Sequence, residues 1–364
     1  EGEYTFQELV KSLDEGKEIS SIDGLVFKDE NGTIHARPPN GYIQDLDKIP
    51  YPSWEHFPAS RNYFNHYRHN PLYPIMATRG CPYGCIHCTK IIHGYKIRKR
   101  SPGNIVGELE YLRDKFGARE VIFVDDNLTF DLDFANELLD LIIEREVGIY
   151  LLMPNGIRAD TLSPPLLKKM RRAGVYGFAI GVESGVQSIV NKIGKKLDLD
   201  KVRNTARLAK EYGFLLRAFF QLGLPYDSFE TMRQTIRFAK EIDPDFALFF
   251  ITTLFPGTEM YDIVHDIGTI GCADDNDEAR ADPNKQGSEV NLGFFYKPVI
   301  NFTFGKLQPG DVKRAYSIAV REFYMRPRKI MSIISTFHTI PEIKWVVHYF
   351  LVSIFNIIGN LFSR

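Results

Sequence analysis

An α/β fold on a parallel sheet is predicted by three features of this sequence. Six apolar runs, 73–78, 120–124, 149–153, 176–182, 214–222 and 246–253, read as buried strands. Amphipathic stretches of helical period separate them, as crossover connections between parallel strands require. Helix start and stop signals fall between the runs. Six such units in series either curl into a partial barrel or lie as an open doubly wound sheet, and the pattern fits both. With 364 residues, 44% hydrophobic and 25% charged, the chain has globular composition and suits one large domain with appendages. The formal net charge of −1 argues against bulk affinity for nucleic acid.

Taken in order, 1–72 precedes the first strand. Ile22-Asp-Gly-Leu-Val26, Asn31-Gly32 and Asp45-Leu-Asp-Lys-Ile-Pro50 suit a small hairpin followed by an extended linker. Within the core, 73–265, Ser101-Pro102 and Ser163-Pro164 place a capping hydroxyl before a proline suited to the first helical turn. Asp227-Ser-Phe-Glu230 has the form of a capping box. Gly117, Gly174 and Gly213 stand where helices should stop before the next strand. Residues 266–328 hold an insertion rich in Asp, Glu, Asn and Gly (273–290) and then a helical extension. An apolar tail, 329–364, ends the chain.

The first strand runs into Arg79-Gly-Cys-Pro-Tyr-Gly-Cys-Ile-His-Cys-Thr-Lys90, which holds three of the four cysteines. Thiolates spaced four and then three residues apart reach three corners of one small metal cluster, and Gly80 and Gly84 let the backbone fold round it. A closed zinc site or a fully ligated cluster calls for a fourth protein ligand. Only Cys272 remains, far downstream, so a three-cysteine cluster with one open iron is the simpler reading. The alternatives are a zinc knuckle that borrows His87 or His93, and buried thiols clustered by chance.

Polar residues gather at the strand exits, where parallel α/β folds build their sites. Asp125 and Asp126 follow the second run; a helix cap or a solvated turn would use them too. Arg158 follows the third and offers a cation for a carboxylate, or makes a surface ion pair. Glu183 and Ser184 sit between glycines after the fourth. The fifth carries Arg217 and Gln221, and Phe255-Pro-Gly-Thr258 makes a tight turn after the sixth.

The C-x3-C-x2-C spacing after a strand resembles the cluster loop of radical S-adenosylmethionine (SAM) enzymes. The stretches 78–88, 98–107, 123–130, 156–160, 181–185, 223–225 and 255–258 resemble, in order, the class B group of that family. This group carries a cobalamin-binding domain ahead of the barrel and includes many methyltransferases and the anaerobic magnesium-protoporphyrin monomethyl ester cyclase. The resemblance runs from residue 1 to about residue 328 and implies a partial (β/α)6 TIM-type barrel with a helical C-terminal extension. It also implies that Cys81, Cys85 and Cys88 hold a [4Fe–4S] cluster whose open iron chelates the amino and carboxyl groups of SAM. The backbone near His87 would meet the adenine, and Asp125, Asp126 and Glu183 the amino and ribose groups. Arg158, Ser184 and Arg217 complete the expected cofactor-facing set. His87 departs from the family pattern, where an aromatic ring is common.

The implied activity is one-electron cleavage of SAM to methionine and a 5′-deoxyadenosyl radical, used for methylation or another C–H modification of an apolar small molecule. The 27 Phe, 18 Tyr and apolar tail tilt the substrate toward a lipid-like molecule or a tetrapyrrole. A methylthiotransferase acting on RNA would need more cysteines and a basic appendage. A non-catalytic iron–sulfur protein has no need of the carboxylates. Glu1-Gly-Glu3 and Phe6-Gln-Glu-Leu-Val10 look like the exit from a cobalamin domain, so cobalamin is expected only with a domain absent from this chain. His265, in the nearest text to a cobalamin motif, reads as a helix-surface residue.

Lys90, His93, Lys96, Arg98, Lys99 and Arg100 form either a solvated, ion-paired loop or a docking rim for an acidic electron donor such as flavodoxin or ferredoxin. Cysteine usage and the absence of a signal peptide suit the cytoplasm. The stretch 345–363 carries no formal charge, but His348, Ser353, Asn356 and Asn360 mark one polar face. An amphipathic helix on a membrane surface, aided by Arg326, Arg328 and Lys329, is therefore expected ahead of docking on the barrel or a true span.

Overall fold

The computed structural model describes residues 1–56, 68–267, 269–270, 302–305 and 307–335. Six parallel strands form one sheet: β1 (Leu72–Ile75), β2 (Glu120–Phe123), β3 (Tyr150–Ile157), β4 (Val175–Glu183), β5 (Leu215–Leu222) and β6 (Phe246–Ile251). Their order across the sheet is the order of the chain, with β1 and β6 at the two edges. A doubly wound sheet reverses direction at a switch point. A sheet that adds each strand on the same side curls one way, so the expected partial barrel is what forms.

The helices are α1 (Pro102–Phe116), α2 (Leu132–Glu144), α3 (Pro164–Arg172), α4 (Leu199–Glu211), α5 (Phe229–Ile242) and α6 (Glu259–Ile267), with a short helix, Gln187–Lys192, before α4. Ser101 and Ser163 cap α1 and α3 as expected, accepting from the N–H groups of Asn104 and Leu166 at 3.2 and 3.4 Å. The box on α5 lies one residue later than the sequence suggested. Ser228 accepts from the Thr231 N–H at 3.3 Å, and the Thr231 hydroxyl accepts from the Ser228 N–H at 2.8 Å. Asp227 is diverted inward, where its carboxylate accepts from the N–H groups of Gly223 and Leu224 at 3.1 and 3.0 Å.

The main core lies between the sheet's outer face and these helices, with Phe178, Ile180, Phe220 and Leu222 of the strands packed with Leu167, Met170 and Ile236 of the helices. All nine residues of β4, the deepest strand, are buried. Leu72, Ile122, Leu152, Tyr176 and Leu215 form a second cluster. C-terminal helices α7 (Pro309–Tyr324) and α8 (Pro327–Ser335) extend the outer layer. Glu322 of α7 pairs with Arg233 and Lys240 of α5, and the Tyr324 hydroxyl donates to the Ala247 carbonyl at 2.7 Å. Arg326 and Lys329 lie 2.8 and 3.0 Å from Asp243, which leaves Arg328 the exposed cation of the three named beside the tail. No helix among the described residues is long and apolar enough to cross a membrane. The expectations for 273–290, Cys272 and 345–363 lie outside the described residues. N-terminal to the barrel are a helix, Glu3–Asp14, and a hairpin of Val26–Lys28 with Ile34–Ala36.

Glu120, the first residue of β2, is fully buried and accepts from the Tyr176 hydroxyl at 2.6 Å and the His69 N–H at 2.8 Å. Burial raises its pKa from 4.5 to about 7, against the hydrogen bond from Tyr176. The folded state therefore binds this proton more tightly than the unfolded chain does. Its contribution to stability is full below about pH 4.5 and is lost as the pH rises through about 7, a change on the order of 3 kcal/mol. Glu120→Gln should flatten the fall in melting temperature between pH 5 and pH 8. A variant whose pH profile matches the wild type would show that Glu120 does not drive the fall.

Candidate active site

Thr78–Arg79 and Arg98–Lys99 pair antiparallel just beyond β1 and close the loop that carries the cysteines. The loop's root is fixed by Asp125. This carboxylate, 3% exposed, accepts from the N–H groups of Ala77 and Thr78 and from the Thr78 hydroxyl at 2.7 Å. Burial raises its pKa to about 6 even so. Two further bonds hold the middle of the loop: Ile86 donates its N–H to the Ile193 carbonyl at 3.1 Å, and its own carbonyl accepts from Met260 at 3.0 Å. Gly194 allows this approach, since a Cβ there would stand 2.3 Å from the Gly84 oxygen.

Cys81 and Cys85 are half-buried, and Cys88 is exposed. The Cys85 and Cys88 thiols share a hydrogen bond that lowers the Cys85 pKa to about 6. Burial opposes the shift, while Lys195 and Lys90 assist it; the Cys88 thiol moves up in response. Among the described residues no three His, Cys, Asp or Glu side chains converge on a single ion. Three thiols on one loop match the donor set of an iron–sulfur cluster with one open position. A cation beside them suits the negative charge such a cluster carries.

Glu183 ends β4 with φ +66°, a left-handed conformation rare for a residue with a side chain, at a shift in register against β5. That turn sets its carboxylate 2.8 Å from Lys195 Nζ and within 3.1 Å of Gln221 Nε2, which donates. Burial pushes the Glu183 pKa up, but the charge and hydrogen bond of Lys195, with the Gln221 amide, outweigh it and hold the group ionised, below the usual carboxylate range. His87 is driven the other way by burial, toward its neutral form, and its Nδ1 is buried without a hydrogen-bond partner. An orphaned ring nitrogen beside a buried ion pair leaves room for a polar ligand. Lys195 is the residue that the sequence reading missed. Its signal was slight: a glycine within the basic run Lys192-Ile-Gly-Lys-Lys196 after the fourth strand.

The other expected residues divide by location. Asp126 stays at the rim, with a side chain 43% exposed that accepts from the Gly80 N–H and meets His93 Nδ1, both at 3.1 Å. Arg158 is buried as a brace. It pairs with both oxygens of Asp160, donates to the carbonyls of Lys195 and Lys196 at 2.8 Å, and stacks 3.9 Å over the Tyr83 ring. Ser184 is fully buried, with its hydroxyl 3.2 Å from that of Thr235 on α5. Arg217 lies four residues before Gln221 on β5, about 13 Å lower along the strand. Its guanidinium is 6.0 Å from the Phe246 ring and near enough to Glu120 to act on it electrostatically. The structure thus brings Cys81, Cys85, Cys88, His87, Asp126 and Glu183 to one rim. It places Asp125 and Arg158 in the supports beneath, Ser184 against α5, and Arg217 low on its strand.

Several loop cations are occupied by pairing: Arg100 with Glu108 at 2.6 Å, Lys99 with Asp131, and Arg98 with Glu1. On the barrel's inner side, Phe219 meets Phe250 edge to face at 5.9 Å, and a Cβ at Gly156 would stand 3.4 Å from the Phe219 ring. Phe250 is 46% exposed, an apolar wall close to Gln221.

Residues 75–239 match the radical SAM superfamily. An uncharacterized methyltransferase of Pyrococcus horikoshii is 33% identical over 265 residues, covering 72% of this chain and 56% of that protein. The anaerobic magnesium-protoporphyrin IX monomethyl ester cyclase of Rubrivivax gelatinosus is 25% identical over 264 residues, covering 72% and 47%. Among solved structures, the radical SAM methyltransferase TsrM of Kitasatospora setae, bound to tryptophan and the SAM analogue aza-SAM, superposes with a TM-score of 0.59. It is 20% identical, and the match covers 73% of this chain and 53% of TsrM. That likeness concerns the fold. The chain spans about half the length of the curated relatives it matches.

Asp125 faces three donors, so Asp125→Asn turns an amide N–H2 toward at least one of them. It should destabilise the fold by about 2 kcal/mol, as an unsatisfied buried group does. Asp126→Asn, at the exposed rim, should shift stability by less than about 0.5 kcal/mol. Urea denaturation measures both, and equal losses would contradict the distinct positions of the two carboxylates.

Proposed function

We propose, for a chain whose residues 75–239 are a radical SAM domain, that Cys81, Cys85 and Cys88 hold a [4Fe–4S] cluster and that SAM binds at its open iron. The observation that carries this reading is the placement of three thiols of one loop beside the buried Glu183–Lys195 pair, at the carboxyl ends of six parallel strands. When bound, the cluster and SAM supply a one-electron cleavage that yields methionine and a 5′-deoxyadenosyl radical.

The chain's own residues bind, orient and exclude water. Glu183, ionised and fixed by Lys195 and Gln221, presents a carboxylate to an ammonium or hydroxyl group of SAM. Asp126 offers a second, more exposed carboxylate from the rim. Neutral His87, with its buried free nitrogen, faces the same space. Lys195 holds negative charge on Glu183 and favours the Cys85 thiolate. The wall of Phe219 and Phe250 favours an apolar small molecule as the carbon centre to be methylated or otherwise modified at C–H. An acidic flavodoxin or ferredoxin would supply the electron, meeting Lys90 and Lys96, for which no carboxylate partner lies within ion-pair distance among the described residues, and the exposed Ile91, Ile92 and Tyr95 of the same loop.

Anaerobic reconstitution with iron and sulfide should give the visible absorbance of a cluster, and dithionite with SAM should then release 5′-deoxyadenosine. Alanine at Cys81, Cys85 or Cys88 should abolish the absorbance, whereas Cys272→Ala leaves it. Glu183→Gln should keep the cluster and weaken SAM binding about tenfold, a loss of roughly 1.4 kcal/mol. A full cluster in Cys85→Ala, or unchanged SAM affinity in Glu183→Gln, would overturn these assignments.

A further inference from the structure

Both arginines at the base of the cysteine loop, Arg79 and Arg98, end on the N-terminal segment. Arg98 is 4% exposed, and the Glu1 side chain is 2% exposed. One guanidinium nitrogen of Arg98 donates to Glu1 Oε2 at 2.7 Å, and the other lies 2.6 Å from Oε1 as an ion-pair contact. Arg79, paired with Arg98 across the two-residue ribbon, lies 3.6 Å from the same Glu1 and also pairs with Glu3. Glu1 Oε2 accepts in addition from the Ile43 N–H at 2.8 Å.

The node continues into the loop. Arg98 donates to the Ile43 carbonyl at 2.7 Å and to the His93 carbonyl at 2.9 Å. The next residue, Gly94, accepts from the Cys81 N–H through its own carbonyl at 3.3 Å. Gly94 has φ +69°, and a Cβ there would strike Tyr42 at 2.8 Å; the Tyr42 ring lies 4.9 Å from the Arg98 guanidinium carbon. Glu1, residues 42–43 and the turn at 93–94 therefore meet on the Arg98 guanidinium, and one backbone hydrogen bond separates that turn from Cys81.

We propose that the Glu1, Glu3, Arg79 and Arg98 node is a positioning latch for the cluster loop, with Arg98 its central residue. The proposal rests on the cluster reading above. A buried charge that loses its partner is costly, so residues 1–3 and the loop hold each other in one register. Hydrogen bonds and solvent access at the thiolates set a cluster's potential and retention, and the latch governs both through the turn that binds Cys81. Glu1 and Glu3 touch neither cluster nor substrate; they act through Arg98 and Arg79.

The test uses the full chain, reconstituted, with Glu1→Gln/Glu3→Gln as the principal variant, because glutamine keeps the shape and removes the charge. Arg98→Met and Arg98→Lys accompany it, and circular dichroism verifies folding. The glutamine variant should lose iron to a chelator about 10–100-fold faster than the wild type. Its cluster potential should shift, and the change that SAM makes in the EPR spectrum of the reduced cluster should be altered. Arg98→Lys should recover part of what Arg98→Met loses, whereas a purely structural role would leave potential and spectrum unmoved in folded protein. A folded glutamine variant with wild-type iron loss, potential and spectrum overturns the latch while the cluster reading stands. A wild-type protein that takes up no cluster overturns the cluster reading, and the latch with it.

Discussion

Parallel pairing of all six strands is the constraint on which the rest of this molecule depends. It sends every strand's carboxyl end to one rim, so residues more than a hundred positions apart in sequence become neighbours there. Cys85, Glu183 and Gln221 belong to three separate strand–helix units, yet one ionic cluster links them. Crossover helices cover the outer face and leave the inner face of the open barrel for a ligand. The sequential strand order, with β1 and β6 left as edges, keeps that inner face accessible.

Charge is handled differently at the two ends of the barrel. Low down, Glu120 is desolvated and accepts from Tyr176 and the His69 backbone, and it titrates near neutrality. At the rim, Glu183 is also buried but ionised, because Lys195 sits beside it. The backbone strain at Glu183 is confined to the residue whose carboxylate must leave the strand and turn inward. Such strain persists only where the surroundings over-determine it, and here the Lys195 and Gln221 contacts do so.

Much of this was legible in the sequence because it rests on local rules. The alternation of apolar runs with capped helices gave the six units, and the cysteine spacing marked the loop. Single-residue roles were harder to read, since they depend on where a side chain turns. Asp125 and Asp126 look equivalent in sequence, yet one seals the root of the loop and the other faces its rim. Arg158 reads as a cation awaiting a ligand, but Asp160 and two carbonyls surround it. Arg217 lies on the right strand at the wrong height, a difference of four residues that no motif encodes. Lys195 went unseen because its partner is twelve residues away across a turn. Asp227 resembles a cap because the residues after it match a box, but its carboxylate turns inward to Gly223 and Leu224 and Ser228 caps the helix.

On the proposed chemistry, the three thiols would hold a cluster with one iron left open for SAM. Mössbauer spectroscopy of reconstituted protein, recorded with and without SAM, tests it most directly. A single iron subsite should change its isomer shift when SAM is added, while the subsites held by Cys81, Cys85 and Cys88 keep theirs. A spectrum unmoved by SAM, with every iron already fully ligated, would contradict it.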